Sequence, residues 1–318
     1  TGRRGVEAAY ETQAAAAGLL GLANEEVAVA STGVIGEHLP MDRVTLGLEE
    51  AAAGLSRDGA GFAEAILTTD TRTKEAAVQV ALGGETVTVG GTAKGSGMIE
   101  PDMGTMLAFL TTDAAVEEAC LRETLREAVE ETFNRVIVDG DTSPSDMALF
   151  LANGAAGNEP LTEASAGYPL FMEAVGDVCR TLAKEIARDG EGATKLIEAR
   201  VEGARDEASA AALARSVVGS SLVKTAVAGE DANWGRVLVA MGYSGGTFDP
   251  EDLDLYFGPV KVFSAGEPAP HDQAEANGAL AGDEVIITAR LREGESGAVA
   301  WGCDLTYEYV RINGSYRT

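Results

Sequence analysis

Residues 94–107 combine the residue types that a self-cleaving nucleophile needs. They read Lys-Gly-Ser-Gly-Met-Ile-Glu-Pro-Asp-Met-Gly-Thr-Met-Leu. The Thr105 hydroxyl can attack the carbonyl carbon of Gly104, which carries no side chain to hinder the approach. Hydrolysis of the resulting ester would leave Thr105 as a new N-terminus, whose free amine can serve as the general base for its own hydroxyl. The pKa of an α-amino group is near ~8, so a useful fraction is neutral at pH 7.

The same stretch has other interpretations. A Gly-Thr pair before apolar residues is also an ordinary helix start with Thr105 as N-cap, and the apolar residues from Met106 to Leu110 predict a helix there. A phosphate-binding loop is excluded because no Gly-Lys-Ser/Thr follows a spaced glycine. A dinucleotide fingerprint is excluded because Glu100 stands where its third glycine should be.

Composition limits the classes of protein to which the chain can belong. Its 318 residues are 45% hydrophobic, which suits one large or two modest domains with a real core. No apolar run approaches the length of a membrane helix, and a net charge of −27 argues against nucleic-acid binding. Three widely spaced cysteines predict reduced core residues in a cytoplasmic protein, and two isolated histidines predict no metal site.

Hydrophobic periodicity predicts a mixed α/β protein with layered sheets. Two glycines at 83–84 between alternating valines predict a β-hairpin. An Asp-Gly pair at 189–190 is expected to end a helix, which places Glu191 in a loop. The predicted helices cover residues 8–22, 41–55, 121–133 and 171–186, and the predicted strands cover 26–31 and 136–138. A long antiparallel pair is predicted from residues 284–292 and 298–312.

Seven segments of the chain resemble, in the same order, those of the ornithine acetyltransferase family, the glutamate N-acetyltransferases of arginine biosynthesis. They are residues 30–37, 68–71, 94–107, 138–143, 189–195, 233–236 and 309–318. The resemblance therefore spans the chain. Gly104 stands where the family usually has alanine, which the smaller residue should tolerate. The family also carries several tens of residues before the segment that begins here with Thr1, so we expect that an N-terminal piece is absent from this sequence.

The resemblance implies a layered α/β/β/α sandwich of the ornithine acetyltransferase/DmpA type with a smaller α/β lobe. It implies cleavage between Gly104 and Thr105, into an α-chain portion (residues 1–104) and a β-chain portion (residues 105–318) that begins with the nucleophile. The two fragments are expected to assemble as an α2β2 heterotetramer in the cytoplasm. The implied protein has no membrane or nucleic-acid partner.

The resemblance also implies ping-pong acyl transfer, in which Thr105 takes acetyl from N-acetyl-L-ornithine and passes it to L-glutamate. Thr32 and Gly33 correspond to the oxyanion hole. Lys94 suits a carboxylate or the developing negative charge, and Glu191 suits the substrate's ammonium. The implied substrate-binding residues are Thr68, Lys94, Thr105, Glu191, Asn313 and Thr318. No metal and no resident cofactor are implied, with acetyl-CoA left open as a second acetyl donor.

Two rival functions stay open at this point. An amidase or aminopeptidase with a self-generated threonine nucleophile would share the chemistry but use water as the acceptor. An α/β binding module without self-cleavage would need neither a nucleophile nor an acceptor.

Overall fold

The computed structural model describes residues 2–100, 106–143 and 145–315. Gly104, Thr105 and Thr318 lie outside the described residues, and so does the predicted boundary between residues 1–104 and 105–318. The helices are α1 (Gly2–Leu20), α2 (Met41–Ala53), α3 (Ala60–Ala65), α4 (Glu118–Glu131), α5 (Tyr168–Arg188), α6 (Glu207–Gly219), α7 (Ser221–Ala228), α8 (Trp234–Gly242), α9 (Gln273–Gly278) and α10 (Tyr307–Ser315). The strands are β1 (Lys74–Leu82), β2 (Glu85–Lys94), β3 (Leu107–Thr112), β4 (Val136–Ile137), β5 (Met147–Ala152), β6 (Leu196–Ala204), β7 (Asp254–Phe257), β8 (Val260–Ser264), β9 (Glu267–Pro268), β10 (Glu284–Arg290) and β11 (Ser296–Cys303).

The first sheet has the strand order β1-β2-β3-β5. The hairpin of β1 and β2 is confirmed, and its turn residues Gly83 and Gly84 have φ values of +63° and +97°, as a tight hairpin turn requires. Strand β3 runs antiparallel to β2 and parallel to β5. The helix predicted from Met106 onward is therefore wrong. Buried residues occur on both faces of β3, and a short continuous apolar run does not distinguish such a strand from a buried helix.

The second sheet has the strand order β4-β11-β6-β10-β7-β8-β9. Strand β6 lies between β10, to which it is parallel, and β11, to which it is antiparallel. The predicted pairing of residues 284–292 with 298–312 is therefore wrong, because both strands pair with β6 instead. Strand β11 ends at Cys303, and the remaining predicted strand residues lie largely in helix α10.

Helix α5 packs against strands of both sheets. Its buried face includes Phe171, Val175, Val178, Leu182 and Ile186, as the spacing of these residues predicts. This face belongs to a core shared with the first sheet, whereas helices α6 to α9 cover a second core on the other sheet. The mixed α/β architecture with two sheets and covering helices is thereby confirmed. The three cysteines are buried and unpaired, as predicted.

The first 70 residues are mostly helical. Helices α1 and α2 confirm the two helices predicted there. The strand predicted at residues 26–31 is wrong, because Asn24–Glu26 form a single 3-10 turn and the residues after it pair with no strand within the described ranges. In the parts of the chain that the structure describes, no helix is both long and apolar enough to cross a membrane.

Candidate active site

A cavity of about 680 Å³ opens at the edge of the first sheet where β2 ends. Six of the residues singled out in the sequence line it: Thr32, Gly33, Thr68, Lys94, Glu191 and Asn313. They come from five separate segments of the chain, which the fold brings to one place. The rest of the lining includes residues of helix α1, other residues of the loop that contains Thr32, Tyr309, and the polar residues Asp139, Asp141, Ser143 and Ser145.

Lys94 is the last residue of β2 and only 2% exposed. Its Nζ donates a hydrogen bond to Thr68 Oγ1 at 2.8 Å and lies 3.6 Å from Asp70 Oδ2. Burial lowers the pKa of Lys94, although the neighbouring Asp70 carboxylate opposes that shift. This ammonium group is therefore held inside the cavity wall and is not a solvated surface charge.

Asp70 is in turn held by a second buried lysine. Lys74 Nζ donates to Asp70 Oδ1 at 2.7 Å and to Asp189 Oδ2 at 2.6 Å, and the Lys74 side chain is fully buried. Burial opposes ionisation of Asp70, but the hydrogen bond and charge of Lys74 outweigh it and lower the pKa of that carboxyl group. Lys74 thus ties the segment before β1 to the segment that carries Glu191.

Glu191 follows the end of α5 in a loop, as predicted, and is 7% exposed. Its backbone N–H donates to Ser96 O at 2.8 Å, and its Oε2 accepts a hydrogen bond from Asn313 Nδ2 at 2.8 Å. Asn313 lies on helix α10, where sequence analysis expected a tail after a strand. The helix presents the amide to the carboxylate, so both residues face the same cavity.

Thr32 and Gly33 also line the cavity, and they lie in the segment between α1 and α2. Thr32 is half-buried and Gly33 is exposed. A hydroxyl and a backbone N–H are the donors that an oxyanion hole uses. Their presence in the same cavity as Lys94 is compatible with that role.

A family profile and curated relatives each match the whole chain. The ArgJ family profile matches residues 1–318. The chain belongs to the ArgJ family. A relative from Symbiobacterium thermophilum, named arginine biosynthesis bifunctional protein ArgJ, is 58% identical over 319 residues, which cover 100% of this chain and 79% of that protein. A Bacillus subtilis protein of the same name is 51% identical over 321 residues, covering 100% and 78%. The family resemblance found in the sequence is thereby confirmed.

A solved ArgJ structure supports the fold as well. The crystal structure of the arginine biosynthesis bifunctional protein ArgJ from Bacillus halodurans superposes with a TM-score of 0.65 and 48% identity. The match covers 67% of this chain and 100% of that chain. The two-sheet α/β architecture is therefore shared with an experimentally solved ArgJ protein.

Asp139 also lines the cavity and holds two neighbouring segments, a role that sequence analysis missed. Its carboxylate accepts hydrogen bonds from Met98 N at 2.7 Å, from Ile99 N at 3.0 Å and from Tyr309 OH at 3.2 Å. Burial raises the pKa of Asp139, and these hydrogen bonds only partly oppose the shift. Met98 has a φ of +54°, which costs about 1–3 kcal/mol for a residue with a side chain. Asp139 and its two backbone bonds hold the chain in that conformation.

Asp146 is a second residue that sequence analysis missed. Its Oδ1 accepts a hydrogen bond from Met106 N at 2.6 Å, one residue after the predicted nucleophile. Burial raises the pKa of Asp146 to about 7, although the Met106 hydrogen bond and the charge of Lys94 act in the opposite direction. The only sequence signal was its position just after the matched segment 138–143.

Among the described residues, no three His, Cys, Asp or Glu side chains form a group that can hold a metal ion. His38 lines the cavity, whereas His271 lies outside its lining, and its Nδ1 is 2.7 Å from Ala269 O.

Gly97 sets the position of the Glu191 carboxylate. A Cβ atom at residue 97 would lie 2.4 Å from Glu191 Cδ, so the carboxylate occupies the space of a missing side chain. We expect Gly97→Ala to keep the fold, because the end of a flexible side chain can move, but to displace the carboxylate from Asn313. A misplacement of about 1 Å can cost ~100-fold in rate, so kcat/KM for the acetyl donor should fall about 10- to 100-fold. Steady-state kinetics measures this.

The matched control for this prediction is Gly47→Ala on helix α2, where an added Cβ would meet no atom within 4 Å. That variant should have wild-type kinetics. Equal kinetics for the two variants would contradict the role given to Gly97.

Proposed function

We propose that this chain transfers an acetyl group from N-acetyl-L-ornithine to L-glutamate through an ester on Thr105, after cleaving its own Gly104-Thr105 bond. The relatives named above are bifunctional proteins of arginine biosynthesis. The observation that carries the proposal is the convergence of a buried Lys94 and a buried Glu191 on one cavity at the sheet edge where β3 begins. The residue before Met106 is the proposed nucleophile, and Lys94 is paired with Leu107 at this edge.

The proposed reaction has two acyl-transfer steps. The free amine of Thr105 takes the proton of its own hydroxyl as the oxygen attacks the acetyl carbonyl carbon. The Thr32 hydroxyl and the Gly33 N–H stabilise the oxyanion, a type of interaction whose loss typically costs ~100–1,000-fold in rate. Ornithine leaves as its amine takes up the proton, and the acetyl group stays on Thr105. The neutral amine of glutamate then attacks the ester carbonyl carbon, and the bond from that carbon to Thr105 Oγ breaks. The proton lost by the glutamate nitrogen passes through the Thr105 amine to Oγ, which restores the free enzyme and releases N-acetylglutamate.

The charges of the cavity fit the donor. N-acetylornithine has a single ammonium, on its side chain, and one carboxylate. Glu191 offers a buried negative charge for the ammonium, with Asn313 holding its Oε2. Lys94, oriented by Thr68, offers a buried positive charge for the carboxylate or for negative charge that develops during transfer. Charges in such a desolvated site act more strongly than they would in water.

Strand pairing supports lasting association of the proposed fragments. Strand β2 precedes the proposed cleavage bond and β3 follows it, yet the two pair from Val89–Thr112 to Lys94–Leu107. Cleavage would therefore leave the α and β portions within one sheet. We propose that they stay together and form an α2β2 assembly. The word bifunctional in the relatives' names supports acetyl-CoA as a second acetyl donor.

The proposal is tested by intact mass and by transfer assays with N-acetylornithine labelled in its acetyl group. We expect two fragments, the second beginning with Thr105, and labelled N-acetylglutamate only when glutamate is present. Ornithine should appear without glutamate as a burst of at most one equivalent. Labelled free acetate as the main product would instead indicate a water-using amidase. A single uncleaved chain without transfer would indicate a binding module.

A further inference from the structure

Three strands of the first sheet bring Asp146 to Met106, the residue that follows the proposed nucleophile in the chain. Lys94 ends β2 and pairs with Leu107, the first residue of β3. Leu107 pairs in turn with Met147, the first residue of β5. Because β3 and β5 are parallel, the residues that precede them lie at the same edge of the sheet. Asp146 therefore lies beside Met106, at the edge where Lys94 enters the cavity wall.

Residue 106 is held through both of its backbone polar groups. Its N–H donates to Asp146 Oδ1 at 2.6 Å, and its carbonyl oxygen accepts a hydrogen bond from Met147 N at 3.0 Å. The second contact is an ordinary bond of the β-ladder. The first is made by a side chain, and with an ionised carboxylate it is among the stronger hydrogen bonds of proteins. The N–H that Asp146 holds belongs to the peptide group that links Thr105 to Met106.

We propose that Asp146 is a positioning residue for Thr105, holding the peptide group on which the hydroxyl and the free amine of the nucleophile depend. This inference rests on the proposed function. Its physical basis is that acyl transfer needs the attacking oxygen close to its target, so that a shift of about 1 Å can cost ~100-fold. No part of the resemblance to the family assigns Asp146 a role.

The ionisation of Asp146 gives this role a pH dependence. Burial raises its pKa to about 7, and among the described residues Lys94 is the charged group that acts on it. Below that pH the carboxyl group is neutral and its hydrogen bond to Met106 N weakens. Above that pH the carboxyl group is ionised and its hydrogen bond from Met106 N has its full strength. The wild-type kcat should therefore fall with acid through a group near pH 7, in addition to the loss caused by protonation of the Thr105 amine near ~8.

The test compares Asp146→Ala and Asp146→Asn with the same substitutions at Asp113. Asp113 follows β3 at its other end, about 20 Å away along the strand, and its Oδ1 accepts a hydrogen bond from Thr88 N at 2.7 Å. The two aspartates thus make the same type of contact at opposite ends of one strand. We expect Asp146→Ala to lower kcat about 10- to 100-fold with less than about a threefold change in KM. The Asp113 variants should keep the wild-type kcat.

Asp146→Asn separates positioning from a merely structural contribution. Its amide oxygen still accepts from Met106 N, so kcat at pH 8 should recover to within about fivefold of wild type. Because the amide does not titrate, the acid limb near pH 7 should disappear and leave only the limb of the Thr105 amine. Intact mass gives the cleaved fraction for each variant, and rates are expressed per cleaved chain.

Specific outcomes would overturn the inference. They are a wild-type kcat in Asp146→Ala, a change confined to KM, or an acid limb retained by Asp146→Asn. If Asp146→Ala does not fold, the pH profile of Asp146→Asn decides alone. Failure of the proposed function would look different, because the wild-type protein itself would then neither cleave nor transfer acetyl.

Discussion

The Thr105→Ala substitution is expected to leave the chain in one piece and to reduce acetyl transfer by about 10⁴-fold or more. Alanine has no oxygen to attack the carbonyl of Gly104 or to carry the acetyl group, so both maturation and turnover lose their nucleophile. Loss of a nucleophile removes most of the rate enhancement of an enzyme that works through a covalent intermediate. Intact mass and the labelled-acetyl assay measure the two effects separately.

Thr105→Ser is the control for that experiment, since serine keeps a hydroxyl and, after cleavage, an α-amine. It should cleave and retain part of the activity. If Thr105→Ala were still cut between residues 104 and 105, intramolecular attack by Thr105 would be the wrong mechanism. If it remained uncut but transferred acetyl at the wild-type rate, the covalent intermediate would have to lie elsewhere.

The second large effect is expected from Glu191→Gln. Glutamine has nearly the same shape and can still accept from Asn313, but it removes the buried negative charge opposite the donor's ammonium. Leaving one partner of a desolvated ion pair without its counter-charge costs about 3–5 kcal/mol. The kcat/KM for N-acetylornithine should therefore fall by about 100-fold or more. Steady-state kinetics with this donor gives the number.

Two controls make the Glu191 result specific. Glu85→Gln removes the same charge from an exposed residue of the β1–β2 hairpin and should leave kinetics unchanged. N-acetylnorvaline, a donor whose side chain has no amine, should be used equally by wild type and Glu191→Gln. A similar loss with both donors would show that Glu191 supports the fold of the cavity and does not bind the donor's ammonium group.

Local signals in the sequence were sufficient for part of the fold. The hairpin at Gly83 and Gly84 and the buried face of α5 follow from turn chemistry and from spacing within one segment. The position of β6 between β10 and β11 does not, because its partner residues lie 88 (Glu284 with Leu196) to 107 (Cys303 with Leu196) positions further along the chain. Strand β3 was mistaken for a helix for a related reason, since burial on both faces removes the alternation that identifies a strand.

Residues of the candidate site could be predicted from the sequence only where they belong to a recognisable motif. Six of the residues that line the cavity could be identified from the sequence, because each lies in a segment that resembles the family. Lys74, Asp146 and the contact of Gly97 with Glu191 depend on distant segments meeting in space. No spacing rule places Lys74 against Asp189, 115 residues away. Such contacts become visible only when the fold is known.

Lys74 has a consequence for which donor lengths the cavity can accept. It joins Asp70, which stands behind the positive Lys94, to Asp189, which lies two residues before the negative Glu191. The buried Lys74 side chain thus connects the aspartate beside Lys94 to the aspartate near Glu191. If Lys94 binds the donor's carboxylate and Glu191 binds its ammonium, as proposed, this connection would hold the two groups at a fixed separation, and a donor with one methylene more or less would fit them less well. Selectivity for chain length would then reside in a side chain that no ligand touches.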